Sequence, residues 1–206
     1  ACVWPEGSGA STVLYTRDED FWDRGEVLEY AIGAATNYSA SPVVAATDFN
    51  YTVNYTMDMA RDATGNWWLS QYRWTAGATT PHLWCVDSTG SALLYNNVTD
   101  GGLPGAARCY GGFGMSPDGS TIATAGYNVV HMFDVASRNE IGTFDFAGNA
   151  NRDCAFDAAG NVYVTNSSSE ILYVVSPGDG PNSYSTDYYG SFSTISGLPV
   201  RDWVLY

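Results

Sequence analysis

The chain has 206 residues, 45% of them hydrophobic and 15% aromatic, which suits one all-β domain with a sizeable core, or two small domains, and excludes a disordered tail. Twenty-two acids face eight bases, all Arg, for a net charge of −14, and such a surface repels nucleic-acid phosphates and anionic lipid. No apolar run approaches the roughly eighteen residues of a membrane helix, so membrane insertion is not expected.

Residues 2–32 (CVWPEGSGASTVLYTRDEDFWDRGEVLEYAI) read as strands with a turn at Gly9, and 43–49 (VVAATDF) as a further strand. Residues 59–74 (MARDATGNWWLSQYRW) repeat the pattern around Gly65, continued after an insertion by 82–95 (HLWCVDSTGSALLY) and a fourth strand over 92–98. Residues 113–139 (FGMSPDGSTIATAGYNVVHMFDVASRN) read strand, Asp-Gly turn, strand, short turn, strand, then a polar loop; 139–146 adds a fourth strand. Residues 154–180 (CAFDAAGNVYVTNSSSEILYVVSPGDG) do the same with an Ala-Gly turn, and 188–194 follows. The runs are rich in Val, Ile, Tyr and Trp, which is strand chemistry, and no capped 3.6-residue periodicity competes.

The turn glycines Gly9, Gly65, Gly119 and Gly160 are spaced 56, 54 and 41 apart. A repeat of about 40–55 residues with three or four short strands is the mark of propeller blades. One small sheet cannot bury both faces alone; stacking blades buries them. The expectation is a single all-β domain, a β-propeller of about four blades of three to four antiparallel strands. The approximate blades are 1–52, 53–103, 104–150 and 151–200.

"NVYVTNSSSEILYVVSP" (161–177), with Tyr163-Val164-Thr165-Asn166 before a polar turn and an apolar strand, resembles the YVTN repeat of surface-layer β-propellers. "SPDGSTIATAGYNVVHMFDV" (116–135) is similar to the same family and to WD-repeat and NHL-type blades. The likeness covers two blades well and two in outline; the first blade carries VLYT (13–16) where the tetrad would stand. The resemblance implies an extracellular, often cell-surface protein and implies no chemistry.

The links GLPGAARC (102–109) and GLPVRDW (197–203) match, and RDWVLY joined to ACVWPEG would make one inner strand. The terminal segment Arg201, Asp202, Trp203, Val204, Leu205, Tyr206 is therefore expected to complete the first blade or a neighbouring subunit. A closed ring, a tandem array, strand exchange between copies and a fragment of a larger propeller all stay open.

No basic-then-apolar leader opens the chain, so a secreted protein would appear here as a mature form or an excised piece. Sequons stand at Asn37, Asn50, Asn54, Asn97 and Asn166, an excess over chance that favours N-glycosylation outside the cell. Cys2, Cys85, Cys109 and Cys154 include no CxxC spacing, which favours two disulfides over a metal or redox motif. Blade alignment suggests Cys2–Cys154, and nearness in sequence across one blade link suggests Cys85–Cys109.

Enzyme signatures are absent. There is no GxSxG, no Lys for a phosphate loop, and His82 and His131 fall in strand contexts. Among the acids of 17–26 (RDEDFWDRGE), Asp18, Asp20 and Asp23 offer a calcium alternative to a solvated loop, without EF-hand spacing. Trp67, Trp68, Trp74 and Trp84 crowd the second blade as core or as a sugar platform, with Arg61, Asp62 and Arg73 nearby.

The functional expectation is a secreted glycosylated structural protein, a subunit of a surface layer, sheath or filament. Its partners would be copies of itself or other extracellular proteins, with covalent N-glycans, no nucleic acid and no cofactor. The alternatives are a lectin-like propeller and a propeller-type hydrolase.

Overall fold

The structure, a computed structural model, describes residues 3–6, 13–17, 27–31, 41–44, 56–71, 82–89, 92–97, 99–102, 112–126, 129–145, 151–166, 171–177 and 184–191. For 3–44, 56–57, 71, 151–152, 166, 171, 177 and 184–191 only the backbone of those stretches is described. Among these residues there are sixteen strands and no helix.

The first sheet holds β1 (Val3–Glu6), β2 (Val13–Arg17), β3 (Val27–Ala31) and β4 (Ser41–Val44). The second holds β5 (Thr56–Arg61), β6 (Trp67–Gln71), β7 (Leu83–Val86) and β8 (Leu93–Asn96). The third holds β9 (Phe113–Met115), β10 (Thr121–Ala125), β11 (Val129–Asp134) and β12 (Asn139–Asp145). The fourth holds β13 (Asn151–Phe156), β14 (Val162–Asn166), β15 (Ile171–Pro177) and β16 (Tyr184–Ser191).

Each sheet is an antiparallel meander in chain order. The first strands of successive sheets pack on one another, β1 on β5, β5 on β9 and β9 on β13, so they are the innermost. The fold is an all-β propeller, with four four-stranded blades among the described residues.

Strand limits shift at the edges. The fourth strand of the first blade begins at Ser41 rather than Val43, where Leu28 and Glu29 pair with Pro42 and Ser41. The last strand begins at Tyr184 rather than Tyr188, because Tyr184–Thr186 pair along Pro177–Val175. Asn166, which closes the Tyr163-Val164-Thr165-Asn166 tetrad, is the last residue of β14 and pairs with Asn151 and Ile171.

The inner hairpins are set by one turn chemistry. In the second blade Asp62 Oδ1 accepts from the Thr64 and Asn66 backbone N–H groups, and Oδ2 from Trp68 Nε1. In the fourth, Asp157 Oδ1 accepts from the Ala159 and Asn161 N–H groups, and Oδ2 from Asn161 Nδ2 and the Tyr163 hydroxyl. An Asp that satisfies backbone donors two and four residues on fixes the turn locally. Gly65 and Gly160 close these turns at φ of 85° and 84°, a left-handed backbone that side chains resist. The third blade uses Ser116 and Asp118 instead, with Asp118 Oδ1 accepting from Ser120 N–H.

Two clusters fill the space between blades. Ala60, Trp68, Leu83, Cys85 and Tyr95 of the second blade meet Phe113, Ile122 and Phe133 of the third. Ala123, Ala125, Val130 and Met132 on the other face of the third blade meet Cys154, Val162, Val164, Tyr173 and Val175 of the fourth. The alternation of faces along β10 sends Ile122 one way and Ala123 the other.

Candidate functional site at the start of the inner strands

The described inner strands share a register position three residues before their last residue. It is Val3 in β1, Asp58 in β5, Gly112 just ahead of β9 and Asp153 in β13. Across the hairpin these residues face Thr16, Ser70, Ala125 and Thr165.

Asp58 and Asp153 converge on Gly112. A Cβ placed there would lie 2.3 Å from Asp153 Oδ1 and 2.8 Å from Asp58 Oδ2. Glycine is thus what lets carboxylates of the second and fourth blades meet over the start of the third. Each carboxylate also caps its own strand: Oδ1 accepts from the next backbone N–H, Met59 or Cys154, at 2.8 Å. Burial, and then the charge of Asp58, push the Asp153 carboxyl up to about 7, against the lowering bond from Cys154 N–H.

Hydroxyls lie beside this pair. Ser70 stands directly opposite Asp58 and Thr124 directly opposite Phe113, the neighbour of Gly112. Both side chains are fully buried, and neither Ser70 Oγ nor Thr124 Oγ1 has a hydrogen-bond partner among the described residues. An unsatisfied buried hydroxyl costs about 1–3 kcal/mol unless something fills the need.

The residues expected to carry function are elsewhere. Cys85 and Cys154 are both buried, and no disulfide is found among the described residues; their expected partners, Cys109 and Cys2, lie outside those residues. Cys85 faces the aromatic cluster, and Cys154 faces the cluster on the far side of the third blade. The strand register also sets Cys154 level with Trp4 rather than Cys2, since each lies two residues before the end of its inner strand. Burial above all pushes the Cys85 thiol up to about 12.

Asn97 is a sequon residue whose side chain is described. It is 2% exposed, its Oδ1 accepts from the His82 and Leu83 backbone N–H groups, and its Nδ2, where a glycan would attach, is buried. Asn97 therefore organises the entry to β7. The side chain of Asn166 and all of Asn37, Asn50, Asn54, Cys2, Cys109, Trp74, Asp18, Asp20, Asp23 and Arg201–Tyr206 lie outside the described residues.

His131 Nδ1 lies 2.6 Å from Glu140 Oε2, and His82 is buried beside Asn97. Trp67, Trp68 and Trp84 are buried, so none offers an open ring for stacking. Among the described residues no three His, Cys, Asp or Glu side chains converge as a metal group.

The acid pair was not singled out by sequence reasoning. The signal was present: DMARDATGN (58–66) and DCAFDAAGN (153–161) are identical at six of nine positions, including both the register Asp and the turn Asp.

No family model matches the chain, and no curated protein matches it. Solved structures do. A luciferin-regenerating enzyme aligns over 90% of this chain and 61% of its own at 16% identity, with a TM-score of 0.54. A chain of the mitotic checkpoint complex aligns over 85% and 48% at 11% identity, TM-score 0.57. The β-propeller domain of Myceliophteria thermophila Cps50 (Swd1) aligns over 85% and 54% at 10% identity, TM-score 0.56. The chain spans between 48% and 61% of the length of these structures. At such identities the likeness shows the fold, a β-propeller.

Proposed function

We propose that the chain is a secreted, N-glycosylated structural propeller, a subunit of an extracellular layer, sheath or filament that acts through protein–protein contacts. The observation that supports this most is how the described aromatic and imidazole side chains are used. Trp67, Trp68, Trp84, Tyr95, Phe133, His82 and His131 are all buried within or between blades. What remains outward at the turns is small and polar, such as Thr64, Ser88, Thr89, Ser120 and Ser137.

The sheets also end in outer strands. β16 is eight residues long and among the described residues pairs on one side only, with β15. An open edge of that length is a template for strand addition. The segment proposed to use such an edge, or an incomplete inner blade of a neighbour, is Arg201–Tyr206.

The test is electron microscopy of the native material with light scattering on the purified chain. Filaments or a lattice that dissolve when Arg201–Tyr206 is deleted are the expected result. A stable monomer at high concentration would overturn the structural role. Glycosidase treatment is expected to shift the mass, with no glycan on the Asn97 peptide.

A further inference from the structure

We propose that Asp58 and Asp153 form a cation site at the start of the inner strands, where a hard divalent ion such as calcium joins the second and fourth blades across Gly112. This goes beyond the structural role and does not depend on it.

Three independent features point the same way. First, the two carboxylates occupy the same register position in their blades, yet both reach the third blade, where the equivalent residue has no side chain. Both oxygens lie within 2.8 Å of one point beside the Gly112 backbone, so they are close enough to each other for one ion to bridge the two carboxylates. Second, each Asp uses Oδ1 to cap its own strand, an arrangement that fixes the carboxylate before any ion arrives. Third, Ser70 Oγ, on the strand beside Asp58 and on the same face, is fully buried without a partner, and Thr124 Oγ1 shares that condition across the interface. Directly opposed residues in an antiparallel pair hold their Cβ atoms about 4.5–5.5 Å apart, so the Ser70 side chain is an immediate neighbour of Asp58.

The donor set is all oxygen: two carboxylates and neutral hydroxyls. That chemistry selects calcium or magnesium over softer metals. Two carboxylates with water in the remaining positions resemble the weaker extracellular class of calcium sites, with dissociation constants of about 0.1–1 mM. A chain of net charge −14 also concentrates divalent ions near its surface. An ion here would remove the like-charge repulsion between blades and supply a ligand to an otherwise orphaned hydroxyl.

The experiment is thermal unfolding of the full chain, dilute and monomeric by light scattering, in chelator and then in calcium or magnesium chloride at constant ionic strength. Wild type is expected to show a saturable rise in Tm with calcium, half complete near the millimolar range. Asp58→Asn and Asp153→Asn keep shape and remove charge. Each is expected to raise the Tm in chelator, because one of two repelling charges is gone, and to abolish the calcium-dependent rise. That opposite pair of effects separates a lost site from a merely damaged fold. No calcium response in the wild type, or a response that survives both substitutions together, overturns the proposal. A magnesium response equal to the calcium response overturns the assignment to calcium.

Discussion

The third blade touches its two neighbours in different ways. Toward the second blade it presents Phe113, Ile122 and Phe133, which meet Trp68 and Tyr95. The three largest rings form a mutual cluster, with centroids 5.5 Å apart for Trp68–Tyr95, 5.7 Å for Trp68–Phe133 and 5.3 Å for Tyr95–Phe133. Toward the fourth blade it presents Ala123, Ala125, Val130 and Met132 against a mostly aliphatic face. There the inner backbones come close: a Cβ on Gly114 would lie 2.8 Å from the Cys154 carbonyl oxygen. Beside the inner strands one interface is filled by rings and the other is narrow, filled by backbone and short side chains; at the Gly119 turn the ring-filled side also brings backbones close, a Cβ there lying 2.5 Å from Ala63 N. The same sheet therefore fails by deletion on one side and by addition on the other.

Trp68→Ala should show the largest effect. It empties a fully buried indole from the ring cluster and removes one of the two donors to Asp62 Oδ2, the other being Asn66 Nδ2. The expected loss is about 3–5 kcal/mol, read from the denaturant midpoint. Gly114→Ala breaks the other side by adding one carbon. Backbone of β13 rather than a flexible side chain must give way, so the expected loss is about 1–3 kcal/mol. Were Gly114→Ala neutral and Trp68→Ala mild, the two interfaces would be alike and the distinction would fall.

The turn aspartates sharpen the same contrast, because Asp62 reaches into the ring-filled side while Asp157 stays at the surface. Asp62→Ala leaves Trp68 Nε1 and two backbone donors to find new partners, with a loss of about 1–3 kcal/mol; Asp157→Ala should cost less. Burial pushes the Asp62 carboxyl up, but hydrogen bonds from Thr64, Trp68 and Asn66 outweigh it and hold it below its ordinary value. The side-chain bond from Asn161 lowers Asp157, and that from Ser116 lowers Asp118. A carboxyl lowered in the folded state binds fewer protons there than when unfolded. Its contribution is present above about pH 4 and is lost as pH falls through the folded value. Acid unfolding should therefore begin below about pH 4, and Asp62→Ala should flatten part of that slope; a Tm independent of pH from 5 to about 2 would contradict it.

Much of the fold was legible. Gly65, Gly119 and Gly160 mark real turns because only a left-handed backbone closes those hairpins, and that demand is local. Alternation along β10 and β11 was also readable, since it needs only the pleat. Which neighbour each face meets was not, because that depends on blade packing. Hence the tryptophans of "NWWLSQ" did not reveal that Trp68 joins Tyr95 and Phe133. The acid pair was hidden for the same reason: Asp58 and Asp153 lie 95 residues apart and meet only over Gly112, a residue with no side chain to announce the meeting.

The smallest effect distinguishes those two interfaces by reactivity rather than stability. Cys85 lies on the ring-filled side, 2% exposed, and burial pushes its thiol up to about 12, so almost no thiolate exists at neutral pH. Brief alkylation of the native chain should leave the Cys85 peptide unlabelled by mass spectrometry. Alkylation after unfolding without reductant should label it fully. A Cys85–Cys109 bridge predicts a different pattern, unlabelled in both conditions and labelled only after reduction. Cys154, 5% exposed on the narrow side, provides the internal comparison. If opening of the two interfaces is independent, partial denaturant should expose one thiol before the other. The narrow interface, with less apolar volume to separate, should open first and label Cys154 ahead of Cys85. Simultaneous labelling would mean that the blades part as one cooperative unit, and that their different packing leaves no trace in how the propeller comes apart.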